Sequence, residues 1–251
     1  MPKLFVISDI HSFYDEMIES LNNSGFDKDN SNHWLICLGD YFDRGKKPIE
    51  VMRYLNSLPR KILIRGNHEQ LLEDACARGY FLSHDNSNGT LQTIYYMNKG
   101  LGLDQGEACI RTELRTRFFR EQMVNYFETK NYIFVHSWIP VTYLDNLPKH
   151  YIKDRKYIFN PNWREASFTD WEIARWGNPY IFAENKEMLP DKTVVFGHWH
   201  CSTGWARKEG LSEFDKDAKF EPFYGDGYIS IDACTAYTGK CNVIVIEDEF
   251  I

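Results

Sequence analysis

The stretch Lys3-Leu4-Phe5-Val6-Ile7-Ser8, followed at once by Asp9-Ile10-His11, decides the fold. Its first part is short, apolar and rich in Val, Ile and Phe, the pattern of a buried strand. A carboxylate and an imidazole then follow where the strand ends. The arrangement returns twice: residues 34–38 are a second apolar run, with Gly39-Asp40 behind it, and residues 61–64 are a third, with Arg65-Gly66-Asn67-His68 behind it. Helical patterns lie between. Met17, Ile18 and Leu21 recur at helical spacing. Pro48 suits a first helical turn, where its missing N–H costs nothing. Ile49, Met52, Tyr54 and Leu55 give that helix an apolar face, and Pro59 ends it. Residues 69–78 read as a helix stopped by Gly79. Strand and helix alternate through the first 80 residues, which predicts an α/β sheet with helices packed against it.

Residues 80–130 read differently. They hold two polar helical patterns, at 91–97 and 114–127, around a Gly-rich joint at 100–106. We read a helical insertion or cap at about 80–130 within a single domain of residues 1–251. Beyond it, 132–135 is a strand ending at His136. Residues 140–190 are irregular and aromatic, with a short helix near 171–176. Residues 193–196 form a strand ending in Gly197-His198. Two closing strands, 228–231 and 242–246, are joined by a turn at Thr238-Gly239-Lys240.

Composition narrows the function classes. Of 251 residues, 43% are hydrophobic and 16% aromatic, which excludes disorder as the default. The net charge of −7 argues against a coat protein for nucleic acid and against a stable nucleic-acid complex. No apolar run approaches the ~18 residues of a membrane span. The N-terminal run flows into acidic residues with no small-residue cleavage site, unlike a secretory signal. Six scattered cysteines without a C-x-x-C pair fit reduced thiols, so a cytoplasmic protein is expected. Nothing in the sequence speaks to oligomeric state.

The polar residues share one address. Asp9 and His11, Asp40, Asn67 and His68, His136, and His198 and His200 all follow strands. In an α/β sheet the ligand crevice lies beyond the carboxyl ends of the strands, so these five segments can meet. Carboxylate oxygen and neutral imidazole nitrogen are ligands for Mn, Fe and Zn. Asp9, Asp40, Asn67 and histidines 11, 136, 198 and 200 are seven groups, more than one structural zinc site needs, and they suit two metals sharing a carboxylate around a phosphoryl centre. His33, His84 and His150 belong to no motif and are expected on the surface.

Asp9-Ile10-His11, Gly39-Asp40-Tyr41-Phe42-Asp43-Arg44-Gly45, Gly66-Asn67-His68-Glu69, His136 and Gly197-His198-Trp199-His200 occur in the order of the five motifs of the calcineurin-like metallophosphoesterases. The chain resembles that superfamily, and its D-R-G and G-N-H-E signatures resemble the bacterial and phage serine/threonine phosphoprotein phosphatases. The resemblance implies a sandwich of two mixed β-sheets flanked by helices. It implies that Asp9 and His11 hold a first metal, that Asp40 bridges, and that Asn67, His136 and His198 hold a second. His200 matches a further ligand of the first metal, one that the narrower branch usually lacks. Ser12 and Ser137 stand where that branch commonly has glycine. Glu69 is expected to shape the turn it follows.

The resemblance also implies a mechanism in which a hydroxide bridging two divalent or trivalent ions attacks phosphorus directly. Manganese is the expected metal, with iron or zinc as alternatives. His68 would protonate the leaving oxygen, oriented by Asp43. Arg44 and Asn67 would contact the phosphate. Arg175 is the expected second clamp, with Arg164 as its competitor, because a planar guanidinium can bind two oxygens at once. The expected reaction is hydrolysis of phosphomonoesters, foremost phosphoserine and phosphothreonine in proteins. The alternatives are a dinucleoside polyphosphate or other nucleotide hydrolase, and a phosphodiesterase. The expected partner is therefore a phosphorylated substrate, either a phosphoprotein or a small phosphoester.

Overall fold

Alternation along the first strand sets the layers. In the computed structural model, which describes residues 1–144 and 156–251, β1 (Lys3–Ile7) sends Leu4 and Val6 to one side and Phe5 and Ile7 to the other. All four are buried, so this strand has an apolar layer on both faces. Chain order continues with α1 (Tyr14–Asn23), β2 (His33–Cys37), α2 (Pro48–Ser57), β3 (Lys61–Leu63) and α3 (Asn67–Arg78). Next come α4 (Ser83–Asn88), α5 (Thr90–Asn98), α6 (Gln105–Arg120), β4 (Tyr126–Glu128) and β5 (Tyr132–Val135). Then follow β6 (Thr142–Tyr143), β7 (Tyr157–Ile158), α7 (Phe168–Trp176), α8 (Pro179–Ala183) and β8 (Thr193–Phe196). The chain closes with α9 (Ser202–Glu209), β9 (Phe223–Tyr224), β10 (Tyr228–Ser230), α10 (Thr235–Thr238) and β11 (Val243–Glu247).

Two mixed sheets result, ordered β11-β1-β2-β3 and β4-β5-β8-β10-β9. In the first, β1, β2 and β3 run parallel and β11 antiparallel; in the second, β5, β8 and β10 run parallel between antiparallel edges. Leu4, Val6, Ile36 and Leu38 meet Phe134, Val195 and Ile229 between the sheets. Each such buried side chain contributes about 1.5–3 kcal/mol. The outer face of the first sheet carries α1, α2, α3, α5 and α6, through Met17, Leu55, Leu72, Ile94 and Phe119. The outer face of the second packs on Trp138, Trp163, Trp171 and Tyr180. This is the expected sandwich of mixed sheets flanked by helices.

Two expectations change in detail. Residues 80–130 hold three helices and a short strand, not two helices. The 114–127 pattern ends at Arg120, because Tyr126–Glu128 pairs with β5. Its true start is fixed by a capping box in which Asp104 accepts from the Glu107 N–H at 2.9 Å and the Glu107 carboxylate accepts from the Asp104 N–H at 3.1 Å. The closing turn is preceded by a short helix, α10.

Candidate metal centre

The carboxyl ends of β1, β2, β3, β5 and β8 do meet, and the backbone there is strained. Asp9, His11, Ser12, Asp40, Asp43, Arg44 and His198 all take positive φ, between 49° and 71°. For residues with a Cβ this left-handed region is costly and persists only when the surroundings hold it. They do. The His11 and Ser12 N–H groups donate to the carbonyls of Asp40 and Tyr41, both at 2.8 Å, and the Gly45 N–H returns to the His11 carbonyl at 2.8 Å. Gly66 and Gly197 let these loops close up: a Cβ on Gly66 would strike Asp40, and one on Gly197 would strike Ser8 and Asp9. Glu69 ties the turns together. Its carboxylate accepts from the N–H groups of Asp40 (3.0 Å), Tyr41 (2.9 Å) and Gly66 (2.9 Å). Burial, then Asp40, raises its pKa to about 7.

One group of candidate ligand atoms comes from Asp40, His136 and His198, and another from His11, Asp40 and His68; within each group they lie within 4.8 Å of one another. Asp40 is the shared member. In the first group His136 Nε2 lies 3.4 Å from Asp40 Oδ1 and 2.8 Å from Asn67 Oδ1, and His198 Nδ1 lies 3.0 Å from the same amide oxygen. The His136 Nδ1–H donates to the Leu38 carbonyl at 2.7 Å, and His198 has a backbone hydrogen bond with Trp176. The inward nitrogens therefore carry lone pairs. They face an amide oxygen and a carboxylate, acceptors on every side. Turning the Asn67 amide would place its NH₂ among them. A cation satisfies the same lone pairs with the oxygen inward, so the residues fit a divalent metal.

The second group is built likewise. The His11 Nδ1–H donates to the Phe42 carbonyl at 2.9 Å, leaving Nε2 to accept from Arg44 Nη1 at 2.8 Å and to lie 3.7 Å from Asp40 Oδ2. Asp9 sits beside this group. Its Oδ2 accepts from the His198 N–H at 2.9 Å and from the Ser8 hydroxyl. Burial, Asp232 and Asp40 raise the Asp9 pKa well above the usual range. Burial alone would raise Asp40 too, but His136, His68, His11 and His198 outweigh it and hold Asp40 well below the usual carboxylate range. Burial lowers His11, His136 and His198, the last to about 3, so all three rings stay neutral.

His68 differs from the other rings. Its Nδ1 lies 2.7 Å from Asp43 Oδ2, and its Nε2 lies 3.2 Å from Arg44 Nη2. Burial works against its charged form, yet Asp40 and Asp43 outweigh that and raise its pKa. Asp43 is held in turn by the Thr90 hydroxyl (2.8 Å) and the Thr93 hydroxyl (3.0 Å), both from α5.

The remaining candidates separate. Arg175 is buried, donates to Asn125 Oδ1 at 3.0 Å and lies close enough to lower His136. Burial brings its own pKa down to about 10, so it stays charged. Arg164 is engaged elsewhere, bidentate on Glu128 at 2.6 and 2.8 Å and stacked 4.3 Å over Trp163. His200, expected in the first metal set, lies outside the two groups of ligand atoms, as Asp9 does. Its Nδ1 lies 2.8 Å from Ser202 Oγ, its Nε2 3.8 Å from Glu213, and its ring 4.6 Å from that of Phe214. The chain turns into α9 directly after it. Asp232 is the residue sequence reading missed. It follows β10 as Asp9 follows β1, is buried, and has a pKa raised by burial to about 6. His84 is exposed, His33 is half-buried against Phe5, and His150 lies outside the described residues.

A family model described as calcineurin-like phosphoesterase matches residues 2–202. "Serine/threonine-protein phosphatase 2" of Salmonella typhimurium is 32% identical over 139 residues, which are 55% of this chain and 59% of that protein. "Bis(5'-nucleosyl)-tetraphosphatase, symmetrical" of Klebsiella pneumoniae is 39% identical over 66 residues, 26% of this chain and 23% of that one. The chain thus spans less than two thirds of each of these curated relatives. Among solved structures, a candidate diadenosine tetraphosphatase superposes with a TM-score of 0.50 at 16% identity, covering 98% of this chain and 95% of its own. A variant of a cold-active protein tyrosine phosphatase gives 0.50 at 14%, covering 98% and 76%. These likenesses are of fold.

Proposed function

The chain belongs to the calcineurin-like phosphoesterases, and from that premise we propose that it is a dinuclear metal-dependent hydrolase of phosphate monoesters, with phosphoserine and phosphothreonine in proteins as its leading substrates. The observation that carries this reading is Asp40, whose carboxylate lies 3.4 Å from His136 and 3.7 Å from His11 and so faces two sets of imidazoles, beside a His68–Asp43 pair. Asp9, His11 and Asp40 would hold one metal; Asp40, Asn67, His136 and His198 would hold the other. When bound, the pair supplies Lewis-acid activation of water and of the phosphoryl oxygens. Manganese is the metal we propose first, and the same oxygen and imidazole set also accepts iron or zinc.

His68 keeps its Nδ1–H on Asp43 and turns Nε2 toward the centre, where it can donate a proton to the leaving oxygen. Arg44 reaches the same space from the loop after β2, and Arg175 from α7. Each can hold a phosphate oxygen. The helices of residues 83–120 act as a cap whose α5 steadies Asp43 and whose outer surface selects the substrate. Six free cysteines fit a cytoplasmic setting, and no helix of the described residues is long and apolar enough to cross a membrane.

The phosphoprotein reading leans on the longer of the two relatives' matches. A second reading, hydrolysis of dinucleoside tetraphosphates, is favoured by the higher identity of the shorter match. One metal-loaded preparation assayed on a phosphoserine peptide and on diadenosine tetraphosphate separates them. A larger kcat/KM on the peptide supports the first. A larger value on the tetraphosphate replaces it with the second.

A further inference from the structure

Beside the metal centre, between the start of α1 and the loop after β2, lies an open pocket of about 300 Å³. Its walls come from two places. Ser12 and the first turn of α1 form one, and Arg44, Lys46 and Lys47 form the other. The Lys47 N–H donates to the Ser12 carbonyl at 3.1 Å and locks the walls together. Resting on the phosphoester-hydrolase reading above, we propose that this pocket is a second phosphate subsite, which takes the phosphate next to the scissile one in substrates that carry a chain of phosphates.

Four features point to an anion. First, Ser12 is buried, and its Oγ has no hydrogen-bond partner among the described residues. Buried hydroxyls without partners are rare, and Ser12 belongs to the pocket wall. Second, α1 is ten residues long, and its N-cap residue Phe13 makes no side-chain cap. The free N–H groups and the dipole at such an end favour negative charge. Third, the cations outnumber the carboxylates. Asp15 and Glu16 also line the pocket, but Asp15 is spent on Lys47 Nζ at 2.5 Å, leaving Arg44 and Lys46 against Glu16. Fourth, Arg44 is common to the pocket and the metal centre, since its guanidinium lies 2.8 Å from His11 Nε2 and 3.2 Å from His68 Nε2. A guanidinium has five N–H donors in a fork and can serve two neighbouring phosphates at once. A monoester would fill only the metal-side half of this arrangement.

The test compares substrates on the metal-loaded enzyme with metal in excess over phosphate. Lys46→Ala removes the free cation, and Ser12→Gly removes the orphan hydroxyl at a backbone φ of 62° that glycine accepts freely. Expected is a roughly 10-fold fall in kcat/KM on diadenosine tetraphosphate for Lys46→Ala, the scale of one lost charge-assisted contact, with p-nitrophenyl phosphate changed less than about twofold. Ser12→Gly should shift the same ratio the same way. Equal losses on both substrates, or no loss on either, overturn the subsite. So does a loss on a phosphoserine peptide that spares the tetraphosphate, which would make the pocket a peptide contact. Failure of the hydrolase reading looks different: the unaltered enzyme would then turn over none of the three.

Discussion

His68 has its two ring nitrogens in opposite surroundings, a carboxylate behind and the reaction space in front. The proton it would donate is held by Asp40 and Asp43 against the pull of burial. His68→Asn should therefore lower kcat on an alkyl phosphate by about 10²–10⁴-fold while leaving metal content intact. A nitrophenolate leaving group needs less protonation and should lose much less. Equal losses would remove the acid role, and loss of metal would make His68 a ligand. Because the pKa is raised in the metal-free chain, the ring is charged there above the ordinary ~6.5, and an alkaline limb of kcat that reports this proton should vanish in the variant. Asp40→Asn tests the shared ligand. Both metals should weaken together, read as metal content per chain after dialysis, whereas one metal retained at full occupancy would contradict the sharing. At this scale the site was largely legible, because each motif residue follows the carboxyl end of a strand. Asp232 obeys the same rule but sits in no motif, so nothing singled it out. The direction of the His200 ring depends on the turn into α9, which residue spacing does not encode.

The loop carrying Asp43 and Arg44 is steadied by one end of α5. Thr93 Oγ1 accepts from the Asp43 N–H at 2.8 Å and donates to Asp43 Oδ1 at 3.0 Å, and a Cβ on Gly89 would strike the Arg44 backbone. Thr93→Val keeps the shape and removes both bonds. The buried N–H left unpaired should cost about 1–3 kcal/mol of stability. A carboxylate freed of one donor attracts its remaining partner more strongly, so the His68 proton should be held to higher pH. Expected are a lower melting temperature and an alkaline kcat limb moved upward, both restored by Thr93→Ser. A limb that stays put would leave Thr93 a purely structural prop. This contact was not readable in the sequence. Strands β1, β2, β3, β5, β8, β10 and β11 were, within about a residue at each end, because side chains such as Leu4, Val6, Phe5 and Ile7 are buried on both faces and leave a continuous apolar run, whereas β4, β6, β7 and β9, two or three residues long, were not. The helices of 83–120 were read loosely because their buried positions include Thr90, Thr93, Thr112 and Thr116. Polar residues facing inward blur the apolar period on which such readings rest.

Across the whole molecule, the two sheets press three carboxylates toward one another: Asp9 and Asp40 from the first, Asp232 from the second. Asp232 has its carboxyl pKa raised by burial to about 6, against an ordinary value near 3.9. A raised carboxyl pKa means that the folded chain holds a proton the unfolded chain gives up. Its contribution to stability is thus full below about pH 3.9 and is lost as pH rises through about 6. Two pKa units correspond to about 3 kcal/mol at neutral pH, an upper figure for so buried a group. In chelated protein, Asp232→Asn should therefore raise the melting temperature at pH 7.5, where the native residue is charged. At pH 3.5, where the residue is mostly neutral both folded and unfolded, the same substitution should change it little. Asn keeps an oxygen that can accept from the Cys234 N–H, which Asp232 Oδ1 now does at 2.7 Å, so the comparison isolates charge. With metal bound, cations offset the repulsion between the sheets, and the gain at pH 7.5 should shrink. An equal shift at both pH values would assign the effect to packing and leave the burial-raised pKa of Asp232 without support.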